Sequence, residues 1–129
     1  MKSLLTKIVF LTFGITMCLS PLQAQKAKVV VLKPDKFKSQ IEQTAHPVII
    51  DVRPVEFFEE GRLLGAINLD PYDPCFVQNV QSHCAPSDSV FVYCKLGKTS
   101  KAATKELVKH GFLHVYNLKG GMLAWDKKR

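Results

Sequence analysis

Val90-Phe-Val-Tyr93 runs directly into Cys94-Lys-Leu-Gly97-Lys-Thr-Ser100, and the reading of this stretch decides the fold class. Four apolar, strand-favouring residues in a row read as a strand buried on both faces, as in parallel sheets. The polar segment Cys94 to Thr99, with a glycine in it, breaks that pattern. The spacing of Ala103 and Leu107 then predicts a helix from about Ser100 to His110, ended by Gly111. A strand feeding a helix through a short turn is the repeating unit of an α/β sheet.

Working upstream, Val48-Ile49-Ile50 reads as a second buried strand, with Asp51 at its C-terminal end. Before it, an apolar run from Lys28 to Leu32 precedes Pro34, Phe37 and Ile41, the spacing of a short helix with proline in its first turn. Pro54 to Glu60 reads as a helical turn stopped by Gly61, and Gly65 to Leu69 as a short strand broken by the prolines of Asp70 to Pro74. Phe76 to Ser82 carries a weak helical signal. Downstream, Phe112 to Leu118 supplies another strand, Gly120-Gly121 a turn, and Met122 to Lys127 a last helical piece. Strands alternating with short helices predict a central, mostly parallel sheet flanked by helices, with no internal repeat.

The first 24 residues read as a secretory leader. Two lysines and no acid in Met1 to Lys7 precede thirteen uncharged residues, Ile8 to Ser20, and Ala24 offers a small residue for cleavage. Thirteen residues rise only about 20 Å as a helix, short of a hydrocarbon core of roughly 30 Å, so no stable membrane span is expected. Thr16 and Met17 ahead of Cys18 argue against lipidation. A domain over residues 25–129 is left, exported to the periplasm or the medium.

Of 129 residues, 47% are apolar and 22% charged, which excludes a disordered chain and is too few for two ordinary domains. Four cysteines are too sparse for a disulfide scaffold. The net charge is +7, and +5 once the two leader lysines are gone, an excess that favours anionic ligands. Scattered lysines without interleaved aromatics argue against nucleic acid, and Lys127 to Arg129 read as a solvated tail. A monomer is expected.

Cys94 draws attention because a strand-to-helix turn is where open α/β sheets bind ligands. Backbone N–H groups of the loop and of the next helix's first turn stabilise an anion there, and Lys95 and Lys98 add charge of the same sign. A thiol in that position is stabilised as its anion, which makes a nucleophile. The alternative from position alone is a buried apolar filler. Gly97-Lys98-Thr99 looks like the end of a phosphate-binding P-loop, but the first glycine of that motif falls at Val92, inside the strand, and the reading fails.

These residues resemble the rhodaneses, a family of sulfurtransferases. Cys94-Lys-Leu-Gly97-Lys-Thr-Ser100 looks like the family's Cys-x-x-Gly-x-Arg-Ser loop. Asp51-Val-Arg53 with Glu56 and Gly61, Gly65-Ala66-Ile-Asn68, Gly111-Phe112 and Gly120-Gly121-Met-Leu-Ala124-Trp125 extend the likeness in order along the chain. The resemblance implies that Cys94 takes a sulfane sulfur from a donor such as thiosulfate, becomes a persulfide, and passes the sulfur to cyanide or a thiol. It makes Lys95, Leu96, Gly97, Lys98, Thr99 and Ser100 the substrate-binding loop. It calls for no metal and no cofactor. A loop of six residues, Cys94 to Thr99, accompanies sulfur transfer in the family, whereas one more residue is associated with phosphatases. The sequence departs at Thr99, where many members carry Arg and its bidentate fork, and at Arg62, where a His is common.

Around the loop, Asp51 either orients the loop or Arg53, or is a structural acceptor, and the structural role is expected because an anion beside a thiolate opposes it. Arg53 is expected to be its partner, and Ser100 a cap or first-turn hydroxyl of the helix. His46, His83, His110 and His114 have no metal-ligand spacing. Trp125 and Phe112 are expected in the core. Cys75 and Cys84 form a candidate disulfide pair, with two free thiols the alternative and a role in resolving the Cys94 persulfide a third. A sulfurtransferase is expected first, and a rhodanese-fold module that binds or carries sulfur without turnover second. A thiol-disulfide redox protein is disfavoured by the lack of Cys-x-x-Cys.

Overall fold

The computed structural model describes residues 27–128; the leader expected at residues 1–24 lies outside them. Five strands, β1 (Val29–Leu32), β2 (Val48–Asp51), β3 (Ile67–Asn68), β4 (Ser89–Tyr93) and β5 (His114–Leu118), form one sheet in the order β1-β5-β4-β2-β3. Every pairing is parallel. The helices are α1 (Pro34–Gln43), α2 (Val55–Glu60), α3 (Phe76–Gln81), α4 (Lys98–Lys109) and α5 (Gly121–Asp126). The α/β class expected from the sequence is the one observed, with an entirely parallel sheet.

Strand pleating sends alternate side chains to opposite faces, and each face has its own core. Ile50, Val90 and Val92 pack with Phe76 and Val80 of α3 and with Ala103 and Leu107 of α4. On the other face, Ile49, Phe91 and Tyr93 pack with Phe37 of α1 and Met122 of α5. Phe112 is fully buried, as expected, whereas Trp125 is half-buried at the margin of the second core, edge-on to Phe37 at 6.4 Å.

Three boundaries differ from the sequence reading by two residues or more. Helix α4 begins at Lys98 rather than Ser100 because Gly97, at φ +93°, takes the N-cap position. β5 begins at His114, because Phe112 closes the end of α4 by donating its N–H to Leu107 O at 3.1 Å. β3 shrinks to two residues, since Ala66 is held in a turn by Leu63 O. Among the described residues no helix is long and apolar enough to cross a membrane.

The strand order reverses between β4 and β2: β4 is followed by β5 on one side, and β2 by β3 on the other. The C-terminal ends of these two strands, from which the chain turns to opposite sides, are the usual ligand position in such sheets. Cys94 directly follows β4 at that point.

Candidate active site

Three polar groups meet the Cys94 sulfur. Gly97 N–H lies 3.1 Å from Sγ, Ser100 N–H 3.4 Å, and the Ser100 hydroxyl 3.2 Å. Ser100 is fully buried in the first turn of α4, so it sits where the sequence reading put it, but it does not cap the helix. The sulfur takes that part instead, accepting the N–H of the helix's third residue. Cys94 is 5% exposed and borders the core around Val52, Val92 and Ala103. Its carbon atoms meet hydrocarbon while its sulfur meets hydrogen-bond donors, an arrangement that a packing filler does not require.

The loop is built by tying its carbonyls outward. Met122 N–H donates to Cys94 O at 2.8 Å and Leu123 N–H to Lys95 O at 3.1 Å, both from the first turn of α5. On the other side, Asn117 Nδ2 donates to Gly97 O at 3.3 Å. In a trans peptide the N–H points opposite to its C=O. The three anchored carbonyls therefore turn the N–H groups of Lys95, Leu96 and Lys98 the other way, and none of the three has a backbone partner among the described residues. The amide donors that reach the sulfur are those of Gly97 and Ser100, and the other three N–H groups lie on the side of the loop away from its anchored carbonyls.

Glycines permit this close packing. A Cβ on Gly97 would press on Gly120 N and Leu118 O, each 3.2 Å away, and one on Gly121 would overlap the Lys95 carbonyl. Asn117 was legible in the sequence only as a strand residue, and Gly120-Gly121 as a turn and part of the rhodanese likeness. Their contact with the loop comes from the adjacency of β5 and β4, which no local pattern reveals.

The described chain matches the family model described as "Rhodanese-like domain" over residues 33–128. It belongs to the rhodanese-like family. The domain is 39% identical over 88 residues to "Thiosulfate sulfurtransferase 16, chloroplastic" of Arabidopsis thaliana, covering 60% of this chain and 72% of that protein. It is 37% identical over 94 residues to the "Adenylyltransferase and sulfurtransferase UBA4" of Debaryomyces hansenii. That match covers 67% of this chain but only 20% of the longer protein. Among solved structures, the crystal structure of the Alr3790 protein from Anabaena superposes with a TM-score of 0.66 at 28% identity, over 75% of each chain.

The remaining expected site residues of this rhodanese-like domain divide into surface and support. Lys95, Leu96 and Lys98 are exposed, and Thr99 is half-buried in the first turn of α4. Lys95 Nζ lies 5.9 Å from the centre of the Phe57 ring. Asp51 and Arg53 form a support. Asp51 is fully buried and accepts from Arg53 Nε at 3.0 Å and Nη2 at 2.7 Å, as well as from the Arg53 backbone N–H at 2.9 Å. Arg53 Nη2 also donates to Gly61 O at 2.6 Å, clamping the end of α2 to β2. Asn68 Nδ2 donates to both Asp51 O and Arg53 O.

Asp51 pairs in register with Tyr93, one residue before Cys94. The pleat therefore puts its carboxylate on the Tyr93 face and the Cys94 side chain on the other, which separates the anion from the thiol. Partial burial works against the Arg53 charge, but Asp51 outweighs it and the guanidinium pKa is raised. Burial, with Asp51 adding to it, pushes the Tyr93 phenol up, so it stays neutral and accepts the Leu63 N–H at 3.1 Å. Arg53→Met leaves Asp51 as a buried charge without its partner and is expected to cost about 3–5 kcal/mol in urea unfolding. A loss below about 1 kcal/mol would show that water replaces the guanidinium.

The candidate disulfide between Cys75 and Cys84 is not formed; both thiols are free. Asn79 N–H bonds to Cys75 O, Ser82 N–H to Gln78 O and Cys84 N–H to Val80 O, so near-helical chain separates the two cysteines. Nine residues of such chain rise roughly 13 Å, beyond the reach of about 7 Å that a disulfide allows. Burial, and next the Asp88 carboxylate, push the Cys84 thiol pKa up, away from a reactive thiolate. No group of three or more metal-ligating side chains is found among the described residues.

Proposed function

We propose that this rhodanese-like domain is an exported sulfurtransferase that moves a sulfane sulfur from thiosulfate, or a donor of that kind, through a Cys94 persulfide to cyanide or a thiol. The observation that carries this reading is the convergence of Gly97 N–H, Ser100 N–H and the Ser100 hydroxyl on one sulfur. Donors already aimed at that sulfur stabilise the negative charge it carries during the two displacements. Export rests on the leader expected at residues 1–24.

The Cys94 thiolate attacks the outer sulfur of thiosulfate; a new S–S bond forms on Cys94, the donor's S–S bond breaks, and sulfite departs with the electron pair. In the second half, the acceptor's lone pair takes the outer sulfur and the bonding pair returns to Cys94. Electrons balance within each displacement, so the cycle asks for no cofactor. The N–H groups of Lys95, Leu96 and Lys98, without backbone partners among the described residues, are available as dipoles for the charge on the second sulfur, and dipoles already in place cost no reorganisation. Lys95 and Lys98 draw the donor anion in, though as point charges on flexible stems.

Purified protein given thiosulfate and cyanide is expected to form thiocyanate over many turnovers. Loading of Cys94 without turnover would leave a sulfur carrier and discard the enzyme, and the lack of any loading would discard both. Thr99→Arg is expected to lower the KM for thiosulfate about tenfold, the worth of one charge-assisted hydrogen bond of roughly 1.5 kcal/mol. An unchanged KM would show that a guanidinium fork is not what donor binding lacks.

A further inference from the structure

We propose that the lysine face of α4 docks an acidic protein that presents the acceptor thiol to Cys94. This rests on the sulfurtransferase reading and names the class of its acceptor. Lys98, Lys101, Lys105 and Lys109 are all exposed and follow one another at steps of three, four and four residues. At 100° per residue they fall within an arc of about 80°, a stripe about 16 Å long. The opposite face carries Ser100, Ala103, Thr104 and Leu107, all buried.

Local stability does not account for the stripe. Like charges three and four residues apart destabilise a helix, and cations in its first turn oppose the helix dipole. The first turn of α4 has Lys98 and no acid. Among the described residues the ion pairs are Arg53–Asp51, His110–Glu106 and Lys128–Asp35, so no carboxylate neutralises the stripe. Only Lys109, in the last turn, suits the helix dipole; the Lys98, Lys101 and Lys105 charges have no ion-pair partner among the described residues, and such a stripe is suited to negative charge from outside the domain.

The stripe starts at the reactive loop. Lys98 is the first residue of α4, and Lys95, within the loop, adds a further exposed cation. Leu96 of the loop is 53% exposed and Leu123 of α5, whose N–H holds the Lys95 carbonyl, is 46% exposed. Exposed apolar side chains on the loop and on the helix that braces it, with cations leading away along α4, match a protein surface, apolar at its centre and charged at its rim. A nucleic acid or an anionic lipid would use the lysines but offers no thiol to the persulfide.

The transfer balances without a further reagent. The partner's thiol gives its proton to solvent, its sulfur lone pair bonds the outer sulfur, and the pair from the broken S–S bond returns to Cys94 as thiolate. The partner leaves as a persulfide.

The test loads the protein with thiosulfate, removes the excess, and follows discharge to three probes: a cysteine peptide flanked by Asp and Glu, the same peptide flanked by Lys, and cyanide. The acidic peptide is expected to react at least about tenfold faster than the basic one at low salt, with the preference falling away towards about 0.5 M salt. Lys101→Glu/Lys105→Glu/Lys109→Glu is expected to reverse that preference while cyanide discharge stays unchanged. Equal rates for the two peptides in the unaltered protein would overturn the docking surface whether or not the triple variant folds. So would an unchanged preference in a folded triple variant, or a stripe that binds anionic lipid vesicles while showing no peptide preference. A protein that never loads with sulfur would overturn the sulfurtransferase reading as well, whereas one that discharges to cyanide but treats both peptides alike overturns the docking surface alone.

Discussion

Cys94→Ser is expected to reduce thiosulfate:cyanide turnover by at least about a thousandfold while changing stability by no more than about 1 kcal/mol. The two effects separate because serine keeps the size and polarity that the site accommodates. Its hydroxyl still accepts the N–H groups of Gly97 and Ser100 that now reach the sulfur. An alkoxide, unlike a thiolate, is not available at neutral pH, and oxygen does not form the persulfide that carries the sulfur. Turnover is read as thiocyanate formation and stability as the urea midpoint. Persistent turnover in the variant would move the chemistry to Cys75 or Cys84, the other described cysteines.

Gly121→Ala is expected to lower stability by about 3 kcal/mol and the thermal midpoint by roughly 10 to 20 °C. Two effects add. The residue sits at φ +63°, where a Cβ is strained, and that Cβ would overlap the Lys95 carbonyl and approach the Cys94 carbonyl. Those carbonyls belong to the loop and are held by Met122 and Leu123, the residues that follow Gly121, so neither side yields without losing the bonds that shape the loop. Turnover at low temperature, where the variant is folded, is therefore expected to fall too. Gly61→Ala is the matching control: its backbone is extended, nothing lies within 4 Å of the added carbon, and the carbonyl that binds Arg53 is kept. It is expected to change stability by less than about 0.5 kcal/mol. Equal tolerance at the two positions would mean that the α5 turn does not brace the loop.

The parallel sheet was legible because Val48-Ile49-Ile50 and Val90-Phe-Val-Tyr93 are continuous apolar runs, and strands buried on both faces require them. Cys94 was legible from its position between such a run and a helix. Asp51 and Arg53 were legible as partners, since two residues apart at a strand end they meet by local geometry. What the sequence did not reveal depends on neighbours far along the chain. Asn117 braces Gly97 from twenty residues away only because β5 lies beside β4, and the α5 turn reaches Cys94 only because the sheet order brings it there. Helix α4 started two residues early for a local reason, since a left-handed Gly97 serves as N-cap without any side chain. The Cys75–Cys84 pairing failed because spacing in sequence does not say that the intervening chain is helical.

We propose that the donors converging on the Cys94 sulfur make it, and no other, the one that takes up and holds a second sulfur. The most direct measurement is the mass of the protein and of its proteolytic fragments after brief exposure to thiosulfate. The expected result is a gain of roughly 32 Da, one sulfur atom, confined to the fragment that contains Cys94 and released by cyanide. An unchanged mass, or the same gain on a fragment containing Cys75 or Cys84, would contradict it.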